Sequence, residues 1–324
     1  MNLYPMKFKP ILKTKIWGGE KIRNIYRHGS STAAIGESWD VSGIEGNESE
    51  VENGYLSENT LPELVEVYMG DLVGDHVYER YGAEFPVLLK IIDAAADLSV
   101  QVHPDDSMAQ RLLGCSGKSE MWYVISAEPE AMLAAGFTRE TSREELENII
   151  GTSAFDSLLR WHPVRQGDVF MIPAGTVHAI GRGCTVIEIQ QPVDITYRLY
   201  DYGRLDSDGR PRPLHVDEAL QATHYDSWQI EPLRVSPRCG EVIRIADIGD
   251  IAVNLMALDH PKEYTVAQID SFIILTCVEG HVNCVYGDDH LTLVPGESLL
   301  IPAEMTDMTL VPTGHVRLLE TYIR

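Results

Sequence analysis

Along this chain apolar and polar positions alternate with a period of two far more often than with the period of an α-helix, and the runs are short. "FPVLLKIIDA" (85–94), "LSVQVH" (98–103), "SEMWYVI" (119–125), "GDVFMIP" (167–173), "CTVIEIQ" (184–190) and "DITYRLY" (194–200) read as β-strands set off by Gly, Pro and Asp. So do "SFIILTCVEG" (271–280), "VNCVYG" (282–287) and "LTLVPGESLLIP" (291–302). Helical spacing is confined to a few places. Residues 61–80 carry apolar positions at helical intervals with Pro62 near the start. A second helical segment is expected around 138–162, where Ser142 and Glu145 stand in a capping-box arrangement. "LHVDEALQATH" (214–224) predicts one more. The pattern therefore predicts a mainly β protein of jelly-roll sandwich or barrel type with a small helical insertion.

One stretch has an echo. "GDVFMIPAGTVHAI" from Gly167 and "GESLLIPAEMTDMT" from Gly296 share a glycine, an acidic residue, an apolar run and Ile-Pro-Ala at the same spacing. This points to two related β-domains. In the second copy Glu304 replaces Gly175, and Asp307 falls where His178 stands. The first copy is read as the working site and the second as structural. The weakly periodic stretch "DSWQIEPLRVSPRCG" (226–240) puts a boundary near 235, giving domains 1–235 and 236–324, the latter without a metal site.

At 324 residues the chain can build one large or two ordinary domains, and 44% hydrophobic with 23% charged residues is a globular rather than a disordered balance. No run approaches a membrane span, and the N-terminal segment lacks a signal-peptide core, so no membrane partner is expected and the expected location is cytoplasmic. Five cysteines without a close Cys-x-x-Cys pair suit reduced thiols there. A net charge of −23 repels phosphate backbones and argues against nucleic acid. It leaves a small anionic substrate open, because a few arginines and lysines can make one cleft locally basic. No obligate protein partner is implied.

Strand alternation puts Ser99, Gln101 and His103 on one face, opposite Leu98, Val100 and Val102. That face is either solvated or turned toward a site; it carries no Lys or Glu and ends in His-Pro. In "GKSEMWYVI", Lys118, Glu120 and Trp122 share a face. Lys118 and Glu120 read as a surface pair worth under about 1 kcal/mol, or as a cation beside a carboxylate ligand, and Trp122 favours the inward-looking alternative. His178 is read as a packed side chain or, if partners converge on it, as a ligand. His103, Glu120 and His178, with Gln101, would form such a set for a divalent cation. "QQPVDITYRLYDYGR" places Asp194, Thr196 and Arg198 on one face, where Asp194 and Arg198 either pair at a surface or serve chemistry. In the latter case Arg198 binds phosphate or an oxyanion and Asp194 orients or moves a proton. Arg182 and Arg204 are read as surface residues.

The spacing from Gly167 through Pro173 and Gly175 to His178 resembles the second cupin motif. More specifically, "LSVQVHPDD", "GKSEMWYVI", "IPAGTVHAI" and "QQPVDITYRLYDYGR", with "KIWGG" and "GESWDVSG" nearer the start, resemble the signature segments of class I mannose-6-phosphate isomerase, or phosphomannose isomerase, in its short bacterial form. The resemblance implies two cupin-type jelly-roll barrels, a bicupin. It implies an aldose–ketose isomerase acting on mannose 6-phosphate and fructose 6-phosphate through a cis-enediol, with one zinc ion per chain. Its ligands would be His103, Glu120 and His178, with Gln101 matching a fourth. Arg198 matches the active-site arginine, Ser99 and Lys118 match positions facing the sugar phosphate, and Asp194 matches an acidic position near the reacting carbons.

Three other readings use the same residues. A metal-dependent dioxygenase would suit the ligand set but has no need of Lys118 and Arg198. A non-enzymatic sugar-binding bicupin could dispense with the metal. An isomerase of another sugar phosphate is chemically nearest.

Overall fold

The computed structural model describes residues 3–26, 33–206, 208–226, 230–266 and 269–324. The chain groups into two compact units. One comprises Leu12–Ser38 and Lys90–Arg234; the other comprises Met1–Ile11, Trp39–Leu89 and Val235–Arg324.

The first unit is built on two antiparallel sheets. One has the strand order Ile11–Gly19, Ile35–Val41, Leu88–Asp93, Cys184–Gln190, Glu120–Ala127, Asp168–Ile172, Leu233–Arg234. The other runs Tyr197–Tyr200, Val100–Val102, His178–Ile180, Met132–Phe137, Leu159–Pro163. The expected cupin-like β fold is present, in the form of facing open sheets. Trp17, Ile92, Trp122, Val124, Leu133, Phe170, Ile180 and Val186 fill the space between them. A large apolar side chain buried there contributes about 1.5–3 kcal/mol. The outer face of the five-stranded sheet is covered by helices Asp106–Leu113, Arg143–Ile149, Ser153–Leu158 and Val216–Ala222, through Val100, Val102, Phe137, Leu146, Phe155 and Leu220. Alternation holds from Ser99 onward: Val100 and Val102 face the helices, and Ser99 and Gln101 face inward, onto a cavity. Leu98, expected with the valines, precedes the strand and packs between the sheets instead.

In the second unit a sheet of Val242–Ile248, Ile251–Leu258, Val316–Ile323, Ile273–Glu279 and Ser298–Ile301 faces one of Lys262–Tyr264, Met308–Pro312, Val282–Tyr286 and Asp289–Leu293. Leu275, Cys277, Val282, Leu293, Leu299, Leu310 and Leu318 form its core. The sequence echo is also an echo of backbone. Gly167 and Gly296 both take left-handed φ, 88° and 87°. Their amides donate to Val124 and Cys277 carbonyls, each at 2.8 Å. After the strand, Thr176 donates to the Pro173 carbonyl at 3.1 Å and Met305 to that of Pro302 at 3.2 Å.

Helix boundaries differ from the sequence reading in three places. The segment 61–80 is two helices, Leu61–Val73 and Asp75–Tyr81, parted at Gly74, where φ is 99°. Within 138–162 the helices end at Leu158, and Leu159–Pro163 is a strand paired with Met132–Phe137; sheet pairing outweighs local helical spacing there. Helix Asp106–Leu113 is an addition. Asp105 caps it by accepting from the Met108 amide at 2.7 Å, and Gly114 ends it with φ 71°. Among the described residues no helix is long and apolar enough to cross a membrane.

Candidate metal centre

Three residues far apart in sequence meet inside the first unit. His103 follows strand Val100–Val102, Glu120 opens strand Glu120–Ala127, and His178 opens strand His178–Ile180. Each has a ligand atom within 4.8 Å of those of the other two, and all three side chains are buried. Glu120 Oε2 lies 3.4 Å from His103 Nε2, and Glu120 Oε1 lies 3.5 Å from His178 Nε2. The turn before His178 is what aims it. Gly175 sits at φ 85°, and a Cβ there would come within 2.6 Å of the His224 ring. The Gly175 amide donates to the His103 carbonyl at 2.9 Å, so this glycine ties two of the three residues together.

The protonation states suit a cation. Burial, with Lys118 nearby, pushes the His103 imidazole down to about 3, and burial also lowers that of His178. Both rings are therefore neutral at neutral pH, with a lone pair to offer. His178 Nδ1 lies 2.9 Å from the Thr176 carbonyl, which assigns the proton to Nδ1 and leaves Nε2 facing Glu120. Burial alone would raise the Glu120 carboxyl, but Lys118 and His103 hold it well below the usual range. Both Glu120 oxygens are buried without a well-formed hydrogen bond; Oε2 has the Lys118 ammonium at 2.9 Å as its charge partner, while Oε1 faces the unprotonated Nε2 of His178. A buried carboxylate oxygen without a donor is costly unless further positive charge meets it. Two imidazole nitrogens and a carboxylate are the donor set a divalent metal takes, so the trio fits one.

Lys118 and Gln101 connect the trio to a cavity of about 270 Å³. Lys118 Nζ is 2.9 Å from Glu120 Oε2 and 3.1 Å from His103 Nε2, and the Gln101 amide nitrogen is 3.3 Å from His178 Nε2. Both residues also line the cavity, as do Ser99, Asp194, Thr196 and Arg198. The remaining charged lining is Lys15, Glu37, Lys90, Glu188 and Arg212. Five cations against three carboxylates make this cleft basic in a strongly acidic chain, as the sequence allowed.

The surface-pair reading of Lys118 and Glu120 is overturned: both are almost wholly buried. Lys118 lies just before the strand rather than on it. Burial would depress its ammonium, but Glu120 and Glu188 outweigh that and hold the pKa above the ordinary lysine value. Asp194 and Arg198 do not pair with each other. Strand Tyr197–Tyr200 starts after Asp194, which stands 3.6 Å from Lys90 with its side chain half exposed. Burial of its carboxylate is outweighed by Lys90 and Lys118, which lower its pKa. Arg198 donates from Nε to Ser99 Oγ at 3.3 Å and from a terminal nitrogen to the Pro213 carbonyl at 2.8 Å. Arg182 is exposed as expected, whereas Arg204 is partly buried and held by Asp201.

Sequence reasoning did not pick out Lys90, Glu188 or Arg212. Lys90 and Glu188 are buried, 3.4 Å apart, and Trp122 donates its indole N–H to Glu188 at 3.2 Å. Their signal was present: each is a single charge inside an otherwise apolar strand, "LLKII" and "VIEIQ", and such a charge is costly to bury unless it is paired.

Comparison with known proteins agrees with this geometry. Residues 6–136 match a family described as phosphomannose isomerase type I, catalytic domain, and residues 248–323 match mannose-6-phosphate isomerase, cupin domain. The chain is 33% identical to the mannose-6-phosphate isomerase ManA of Bacillus subtilis over 93% of its own length and 94% of that protein. A mannose-6-phosphate isomerase of Streptococcus mutans is 39% identical over 67% of this chain and 66% of that one. A crystal structure of the mannose 6-phosphate isomerase from Bacillus subtilis superposes with a TM-score of 0.85 at 32% identity, covering 99% of this chain and all of the other. Full-length similarity at that level, together with the fold, shows that the chain belongs to the mannose-6-phosphate isomerase family.

Proposed function

We propose that the protein is a zinc-dependent isomerase with one zinc ion per chain, interconverting mannose 6-phosphate and fructose 6-phosphate through a cis-enediol in the cytoplasm. The observation that carries this reading is the contact of a buried His103–Glu120–His178 cluster with a basic cavity through Lys118 and Gln101. A zinc ion held by these three side chains, with Gln101 as fourth ligand, would act as a Lewis acid toward the sugar's carbonyl oxygen.

The chain's own groups supply the rest. Arg198 sets a fixed positive charge in the cavity wall where negative charge grows on the enediol oxygens, an effect strongest where water is scarce. Lys118 stays protonated and donates hydrogen bonds from Nζ. Asp194 stays ionised at the rim and can accept a proton through a carboxylate oxygen. Both groups line the same cavity in opposite protonation states, a donor and an acceptor for a proton moved between C1 and C2. Ser99, just ahead of strand Val100–Val102 and in the cavity lining, meets the sugar phosphate beside Arg198. The unreactive phosphate anchors the open-chain sugar so that its first two carbons stay in register with these groups.

The test is a coupled assay of mannose 6-phosphate turnover, with glucose 6-phosphate as comparator, before and after chelation and zinc return. Turnover of mannose 6-phosphate that vanishes on chelation and returns with zinc is expected. Undiminished turnover by metal-free protein removes zinc from the mechanism, and preference for glucose 6-phosphate replaces the substrate.

A further inference from the structure

Two arginines grip one carboxylate next to the cavity, and a third, Arg198, lines the same cavity. Asp201, buried just beyond strand Tyr197–Tyr200, accepts from Arg212 Nε at 2.7 Å and from one terminal nitrogen of each of Arg212 and Arg204. Two successive left-handed residues, Tyr202 at φ 57° and Gly203 at 68°, fold the chain back so that the Arg204 amide donates to the Asp201 carbonyl at 3.0 Å. Arg204 is tied down on its far side by the Asp97 carbonyl and stacks over the Tyr202 ring at 5.1 Å.

Arg198 and Arg212 line the cavity and Arg204 does not. With Nε and one terminal nitrogen of Arg212 committed to Asp201, its other terminal nitrogen is the edge left for a ligand. Arg198, committed to Ser99 and Pro213, likewise keeps one terminal nitrogen. Five cations against three carboxylates in the cavity lining leave two positive charges, which matches a phosphate monoester carrying about −1.5 to −2 at pH 7. A long arginine side chain would otherwise sample many rotamers; a two-point carboxylate grip holds its planar fork in one.

We propose that Asp201 is a positioning residue that presents Arg212 to the cavity, so that Arg212 seats the phosphate group of the substrate and leaves Arg198 to the reacting end. This rests on the sugar-phosphate reading above and adds to it the residue that fixes the anion seat.

The experiment uses the zinc-loaded full chain. Asp201→Asn should raise KM for mannose 6-phosphate about tenfold, and weaken calorimetric binding of inorganic phosphate by a similar factor, while kcat stays within about threefold, the signature of lost uniform binding. Zinc content should be unchanged. In an Arg212→Gln background the same substitution should add little, because both changes remove one interaction. If Asp201→Asn lowers kcat with KM and phosphate affinity unchanged, or costs as much with Arg212 absent, Asp201 does not act through Arg212 and the proposal fails. Should Asp201→Asn not fold, Arg204→Gln removes only the outer brace and is expected to weaken phosphate binding by about two- to fivefold; no change there would equally overturn it. Phosphate binding by the wild type that depends on Asp201, without turnover of mannose 6-phosphate, would refute the substrate assignment while leaving the seat intact. Absence of phosphate binding by the wild type would refute the seat itself.

Discussion

The two copies of the strand–Ile-Pro-Ala turn use the same backbone device and deliver different side chains. In the first, Gly175 takes left-handed φ, donates to His103 and accepts from the His224 amide at 2.8 Å, so the turn is clamped and His178 starts the next strand facing inward. In the second, Glu304 occupies the glycine position, has no left-handed φ, and uses Oε1 to accept from the Leu3 amide at 2.7 Å. The following strand begins at Met308, whose side chain enters the core, and Asp307 is left exposed outside it. A one-residue offset at the strand's start decides which face a side chain takes. The lesson is that the turn by itself makes no site; what matters is which residue the turn leaves pointing between the sheets, and what it finds there.

The largest test of that contrast is His178→Ala. Zinc content and turnover are expected to fall together, turnover by about three orders of magnitude or more, since a catalytic metal supplies several kcal/mol of transition-state stabilisation. Metal analysis beside steady-state kinetics checks it, and retained zinc with retained activity would remove His178 from the centre. A smaller effect is expected from Gly175→Ala, which puts a Cβ against His224 at a left-handed φ. It should cost about 1–3 kcal/mol in denaturant unfolding. Glu304→Ala, which loses one hydrogen bond, should cost about 0.5–1.5 kcal/mol. Equal losses would mean that the two turns carry the same load. The smallest effect is expected from Asp307→His. An imidazole there points away from the core, so zinc stoichiometry should stay at the wild-type value and stability within about 0.5 kcal/mol. A second bound zinc would show that the second sandwich needs only a histidine to become a site.

Much of the centre was legible one strand at a time. The alternation at 98–103 assigned Ser99 and Gln101 to one face, and Trp122 marked the strand of Glu120 as inward-looking; both assignments hold. Lys118 was placed on that strand but lies ahead of it, because strand pairing with Asp168–Ile172 and Cys184–Gln190 begins only at Glu120. Lys90 and Glu188 were passed over because they sit in apolar runs that already read well as buried strands. Burial of these charges is made tolerable by partners on neighbouring strands, each other first, which no local pattern displays. Asp201 and Arg212 were equally silent, as members of a loop whose only local signal is charge.

What the amino-acid order determined alone was local: where strands run, which side of each is apolar, where glycine must turn the chain, and that the repeat recurs. These follow from a two-residue period and from backbone sterics, which act over a few neighbours. The meeting of His103, Glu120 and His178, the exclusion of water around them, and the basic cavity beside them were decided by tertiary structure. Ligand distances of a few ångströms between residues separated by 17 to 75 positions depend on how sheets pair and pack, and no sequence-local interaction encodes that register.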